Sequence, residues 1–272
     1  MHSSTIDEHV VHLRAVLTRL REKQLYAKPT KCQWLRTSIE FLGHTIDSSG
    51  LSITTSKVDA LQQWPAPRNL HELRSLLGTF GFWRTYIHRY AHITYPLTLL
   101  TRKGVAWRWG EEEAESLRAL KPAIRESPVL MSPDYEQPFF LVTDASDYAI
   151  GCSLEQCDAQ NNRRPVTYIS HQLSQAERKY PTHERELLAV VLALRTWRHW
   201  LLGSEFSVEC QTDHRPLQSF LTQTALSGRQ VRWQQQLSEY NLKVTYIPGK
   251  VNEFADGLSR VRLNDCGGSS TL

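Results

Sequence analysis

The chain has 272 residues, 40% of them apolar and 22% charged, with 13 glycines and 12 prolines. At roughly 150 residues per domain this length suggests two domains, and the composition excludes collagen-like, mucin-like and highly charged disordered classes. The longest apolar run, Leu187 to Leu194, falls far short of the ~20 residues a membrane span needs, and Met1-His2-Ser3-Ser4 does not open a signal peptide. A soluble, cytoplasmic protein with no membrane partner is expected. Five cysteines (Cys32, Cys152, Cys157, Cys210 and Cys266) form no CxxC pair, which argues against a zinc site and a disulfide framework and for reduced thiols.

The net charge of +4 conceals an asymmetry. Residues 1–125 carry 18 Lys and Arg against 11 Asp and Glu, whereas residues 126–272 carry 14 against 17. A basic front that holds a polyanion and an acidic back that gathers carboxylates would give this pattern; so would two solvated surfaces of opposite sign.

Val10, Leu13, Leu17 and Leu20 recur at helical spacing and predict an amphipathic helix over 7–25, with Asp7 and Glu8 in its first turn. Cys32–Leu35 and Ile39–Ile46 read as two strands, with Asp47-Ser48-Ser49-Gly50 as a turn. A helix over 56–64 capped by Ser56, a second capped by Asn69 and running to Leu77, and a third from Phe82 to Tyr90 follow. Trp107-Arg108-Trp109-Gly110 and three glutamates open a helix that ends near Arg125, where the domain boundary is expected.

Beyond the boundary, strands at 139–144, 149–156 and 165–170 suggest an antiparallel meander. A long helix over 175–202, a strand at 206–212, two helical pieces, a strand at 242–247 and a last helix from Asn252 complete the order. Strands reached through helical crossovers beside a meander call for an α/β fold, a mixed sheet with helices on its faces.

Asp144 ends the first of these strands, Asp213 lies just past a later one, and Asp256 starts the final helix. Carboxylates at strand ends can converge from distant parts of a chain. Glu186 shares a stripe with Val190, Ala193 and Trp197 and is expected to face the sheet, whereas the stripe of Glu184 ends in Arg195. No Lys or Arg run adjoins these four acids, and a buried carboxylate without a partner is costly, so a metal ion is the simplest compensation. All-oxygen ligands point to Mg²⁺ or Mn²⁺, and two ions ~3.5–4 Å apart would suit phosphodiester cleavage. Each acid also sits in an ordinary turn or cap context, the competing explanation.

Thr143-Asp144-Ala145-Ser146, Glu184-Arg185-Glu186-Leu187-Leu188-Ala189, Thr212-Asp213-His214 and Ala255-Asp256-Gly257-Leu258-Ser259-Arg260 together resemble the RNase H domain of gypsy-type LTR retrotransposon Pol polyproteins. Upstream, Phe41-Leu42-Gly43-His44, Trp64-Pro65-Ala66-Pro67 and Glu72-Leu73-Arg74-Ser75-Leu76-Leu77-Gly78 resemble the end of the palm and the thumb of the same reverse transcriptases. The resemblance implies an RNase H-like fold cutting the RNA strand of RNA–DNA hybrids, with Asp144, Glu186, Asp213 and Asp256 as catalytic, metal-binding carboxylates. It divides the chain into 1–55 (end of the palm), 56–105 (thumb), 106–125 (junction helix), 126–262 (RNase H-like domain) and 263–272 (disordered tail). It also implies that the polymerase aspartates precede Met1, that the fingers and palm could act as a separate partner, and that the protein works inside a virus-like particle.

Arg74, Trp83, Arg84, Tyr86, Arg89 and Tyr90 interleave cations with aromatics. Arg74, Arg84 and Arg89 are expected to contact phosphates, while Trp83 and Tyr90 are expected to pack in a core. By resemblance, Phe41 and Gly43 belong to a primer-grip-like segment. His214, beside Asp213, is a candidate for proton transfer or a turn residue. The alternative to a nuclease is a catalytically inactive nucleic-acid-binding remnant.

Overall fold

In the computed structural model, residue 3 and residues 5–212, 220, 223 and 226–246 are described. Asp213, His214, Asp256, the helix expected from Asn252 and the tail expected over 263–272 lie outside them.

Helix α1 (Ile6–Glu22) starts where the Thr5 hydroxyl accepts from the Glu8 N–H, and none of its residues is buried. The segment expected as two strands is a three-stranded antiparallel sheet of β1 (Ser38–Phe41), β2 (His44–Asp47) and β3 (Gly50–Ile53). Cys32–Leu35 pairs with nothing in it, and the run from Ile39 to Ile46 folds back on itself. The reason is a two-residue loop with Leu42 at φ 51° and Gly43 at φ 84°, the geometry whose twist matches paired strands. A leucine in that conformation gives no turn signal.

Gly43 also lets Trp83 approach, since a Cβ there would stand 2.9 Å from the Trp83 Cη2. Gly43→Ala combines left-handed backbone strain with that overlap. We expect a loss of about 1–2 kcal/mol of stability, read as a lower urea midpoint; an unchanged midpoint would refute this packing.

Helices α2 (Thr55–Gln62), α3 (Leu70–Phe82), α4 (Tyr90–Ile93), α5 (Tyr95–Leu99) and α6 (Glu111–Arg125) follow. Thr54 rather than Ser56 precedes α2. Asn69 caps α3 by accepting from the Glu72 N–H, and that helix continues through Gly78 to Phe82 because its apolar stripe extends to the buried Phe80. The expected helix over 82–90 is instead a short 3₁₀ turn at Arg84–Tyr86. One core joins these pieces: Ile53, Leu61, Leu73, Leu76, Phe80, Trp83, Tyr86, Leu117, Leu120 and Ile124. Helix α6 therefore packs with the front of the chain, and Trp83 packs as expected.

The back half is a five-stranded mixed sheet in the order β6-β5-β4-β7-β8. Strands β4 (Phe140–Ala145), β5 (Ala149–Cys157) and β6 (Arg163–Gln172) form the antiparallel meander, and β7 (Val208–Thr212) and β8 (Leu242–Tyr246) add in parallel. The long helix is broken into α7 (Thr182–Thr196) and α8 (Arg198–Leu201), and α9 (Gly228–Leu237) starts at a Ser227–Gln230 capping box. A second core gathers Leu141, Ile150 and Leu154 from the sheet, Leu187, Val190 and Leu194 from α7, and Trp233 and Leu237 from α9. Cys32, Cys152 and Cys210 are free thiols, as expected. Among the described residues no helix is long and apolar enough to cross a membrane.

The two cores are tied together. Leu130, which exchanges 2.8 Å backbone hydrogen bonds with Leu51, belongs to the front core, and the next residue, Met131, donates its N–H to the Pro165 carbonyl of β6 at 2.8 Å. The Ala91 N–H donates to Ser170 Oγ (2.6 Å), and Tyr95 and His92 pack against Tyr148.

Candidate active site

The pleat of β4 sends Leu141 and Thr143, both fully buried, toward the helix-covered core, and Asp144 to the opposite side with its side chain 33% exposed. Register sets Asp144 opposite Gly151 and Thr143 opposite Cys152. Helix α7 lies on β4 and β5, with the Cys152 thiol donating to the Ala189 carbonyl at 3.6 Å. Glu186, one turn before Ala189, is 5% exposed, as its apolar stripe predicts.

Asp144 and Glu186 come from different elements, and the charges of both are felt at the buried Cys152 thiol. The Cys152 thiol is pushed up by burial first, and then by the neighbouring Cys210 thiol and the carboxylates of Asp144 and Glu186. Burial and Glu186 likewise push Cys210 up to about 12. Carboxylate oxygens are the hard donors that suit a divalent cation. Strand β7 runs parallel to β4 with Gln211 beside Val142, so its end at Thr212 lies level with Thr143. Asp213 follows Thr212 in the chain; its own position, like that of His214 and Asp256, lies outside the described residues. Among the described residues no group of three or more potential metal-binding side chains occurs.

Two expectations about these acids need correction. Glu184 was expected to differ from Glu186 in facing charge, yet it is also 5% exposed. Its charge is met from α9: Arg229 donates to Glu184 Oε2 and Gln230 Nε2 donates to Oε1 at 3.2 Å. Arg229 in turn lies 3.8 Å over the Tyr180 ring. Arg229→Met would strand the buried Glu184 carboxylate, so we expect a loss of about 2–4 kcal/mol, less than for a fully buried pair because Arg229 is partly exposed. Chemical denaturation measures it, and a cost below ~0.5 kcal/mol would contradict the pairing.

The second correction concerns the absence of basic partners. Asp144 has one, separated from it by 55 positions: Arg89 donates to Asp144 Oδ2 from Nε (2.8 Å) and Nη2 (2.6 Å). Arg89 is expected among the phosphate-binding residues; without nucleic acid, the docking of α4 on β5 and β6 brings its guanidinium to Asp144. The Gly151 position makes room, since a Cβ there would reach 3.4 Å from Arg89 Cγ. His92 Nε2 stands 4.0 Å from the same Oδ2, and burial, outweighing the pull of Asp144, lowers its pKa toward the neutral form. No local pattern reveals Arg89 or His92 as neighbours of Asp144, because the contact is set by how the two cores dock.

The other candidates lie on the front of the molecule. Arg74 and Arg84 are exposed. Phe41 is 60% exposed and Leu42 73%, at the tip of the β1–β2 hairpin above Trp83. His44 anchors that hairpin from beneath through a 2.7 Å hydrogen bond between its Nδ1 and the Tyr86 hydroxyl.

Residues 134–240, which hold β4 to β7, α7 and α9, match a known family, the RNase H-like domain found in reverse transcriptase. Residues 134–240 belong to that RNase H-like domain family. Along 263 residues, 96% of its length, the chain is 33% identical to the transposon Tf2-3 polyprotein of Schizosaccharomyces pombe. It spans about a fifth of that relative's length. Among solved structures it is similar to the foamy viral protease-reverse transcriptase dRH in complex with double-stranded DNA, with a TM-score of 0.75 and 25% identity over 91% of this chain and 44% of that one. A second foamy viral protease-reverse transcriptase, also with double-stranded DNA, gives a TM-score of 0.73 and 26% identity over 91% of this chain and 52% of that one. The likeness extends well beyond the RNase H-like domain into the front core.

Proposed function

We propose that the chain is the thumb-side and RNase H part of a gypsy-type retrotransposon reverse transcriptase, and that it cuts the RNA strand of RNA–DNA hybrids. The observation that carries this reading is the match of residues 134–240 to the RNase H-like domain found in reverse transcriptase, with Asp144 on β4 and the buried Glu186 on α7, the helix packed on that strand. Asp213 and Asp256 complete the proposed set of four carboxylates. Two Mg²⁺ ions, or Mn²⁺, would supply an activated water and charge stabilisation at the phosphate. The protein's part would be to present Asp144 from β4 and the buried Glu186 from α7 toward the phosphate. Attack of water on phosphorus breaks the bond to the 3′ oxygen, leaving 3′-hydroxyl and 5′-phosphate ends.

Arg74, Arg84, Phe41 and Gly43 form the proposed nucleic-acid surface, supported by their exposure or position at the hairpin tip and by the double-stranded DNA bound to the foamy viral relatives. The hybrid would be told from DNA by its shape and 2′-hydroxyls. The fingers and palm of the same enzyme are the proposed protein partner, and a virus-like particle the proposed location.

The test is incubation of the purified chain with end-labelled hybrid and Mg²⁺. Cleavage confined to the RNA strand and stopped by chelation is expected. Salt-dependent binding without turnover would replace the nuclease by an inactive binding remnant, and equal cleavage by an Asp213→Asn variant would remove the carboxylate site.

A further inference from the structure

We infer that Arg89 and a divalent cation compete for the Asp144 carboxylate, so that Arg89 restrains cation binding until nucleic-acid phosphate draws it away. This rests on the reading of Asp144 as a metal ligand.

The guanidinium is placed, not loosely tethered. Arg89 sits at φ 53° and ψ 31°, left-handed backbone that a non-glycine residue adopts only where its surroundings enforce it. Those surroundings are visible. One residue pair further, Ala91 is bound at both backbone groups: its N–H donates to Ser170 Oγ at 2.6 Å, and its carbonyl accepts from Gln172 Nε2 at 3.5 Å. The Arg89 stem crosses β5 at Gly151, the residue directly opposite Asp144 in the ladder. Arg89 Nε and Nη2 both meet Asp144 at Oδ2, and His92 faces that oxygen as well.

A hard cation needs carboxylate oxygens in its coordination shell. A guanidinium on Oδ2 occupies one of them and repels a divalent charge placed at the other. Phosphate is the alternative partner for a guanidinium, bound by the same fork geometry. The Arg89 side chain is 41% exposed, so an incoming backbone phosphate can reach it. Nucleic acid and cation should then bind with positive, reciprocal coupling.

The experiment is titration of the full chain with Mn²⁺, followed by calorimetry, without nucleic acid and again with a short DNA duplex. Arg89→Gln should bind Mn²⁺ about tenfold tighter than the wild type, and Arg89→Lys, which keeps a charge but loses the fork, should fall between. The duplex should tighten Mn²⁺ binding by the wild type and not by Arg89→Gln. Unchanged or weaker Mn²⁺ binding by both variants, while Asp144→Asn still weakens it, overturns the competition. Unchanged binding by Asp144→Asn overturns instead the reading of Asp144 as a ligand. Should Arg89→Gln fail to fold, the order of Arg89→Lys and wild type decides alone.

Discussion

Asp144→Asn should lower cleavage of the RNA strand by about three orders of magnitude, roughly 4 kcal/mol of transition-state stabilisation, while leaving the fold intact. Asn keeps the shape of the side chain and removes only the charge. The loss of the Arg89 ion pair costs stability of at most about 1 kcal/mol, because both partners are partly exposed. Single-turnover cleavage of labelled hybrid, alongside thermal unfolding, separates the two effects. Cleavage within tenfold of the wild type by a folded Asp144→Asn protein would mean that this carboxylate does no chemistry.

The second large effect is structural. Phe80 is fully buried at the centre of the front core, between the α3 stripe and Trp83, Leu117 and Leu120. Phe80→Ala removes a ring from a close-packed site, and we expect a cost of about 3–5 kcal/mol. That is a drop of roughly 6–20 °C in the unfolding midpoint for a domain of this size. Because the front core positions α4, the same variant should also loosen the docking of Arg89 on Asp144. Calorimetry measures the first effect; a cost below ~1 kcal/mol would show that the site relaxes to fill the cavity.

The sheet of the RNase H-like domain was legible because its signals are local. Strand alternation, the polar turns between β4, β5 and β6, and the apolar stripe of α7 each fall within a dozen residues, and the three strands stand within a few positions of where the pattern puts them. Asn69 announced α3 by cap chemistry alone. The β1–β2 hairpin was hidden because Leu42-Gly43 carries a turn on a leucine, where propensity gives no warning.

At the site, the burial of Glu186 followed from helical periodicity, since every residue of its stripe is apolar. The burial of Glu184 did not, because its compensating charge, Arg229, arrives from a helix 45 positions later. The pairing of Arg89 with Asp144 was hidden for the same reason. That partner is chosen by the docking of two separately built cores, information that no window of sequence contains. That Asp144 and Glu186 belong to one set is implied by the resemblance and by no periodicity.

The most direct measurement of the central proposal is anomalous scattering from crystals of the chain soaked in Mn²⁺. Two peaks ~3.5–4 Å apart, each within about 2.0–2.6 Å of carboxylate oxygens drawn from Asp144, Glu186, Asp213 and Asp256, are the predicted result. Peaks elsewhere, or any one of the four acids directed away from a shared cation, would contradict it.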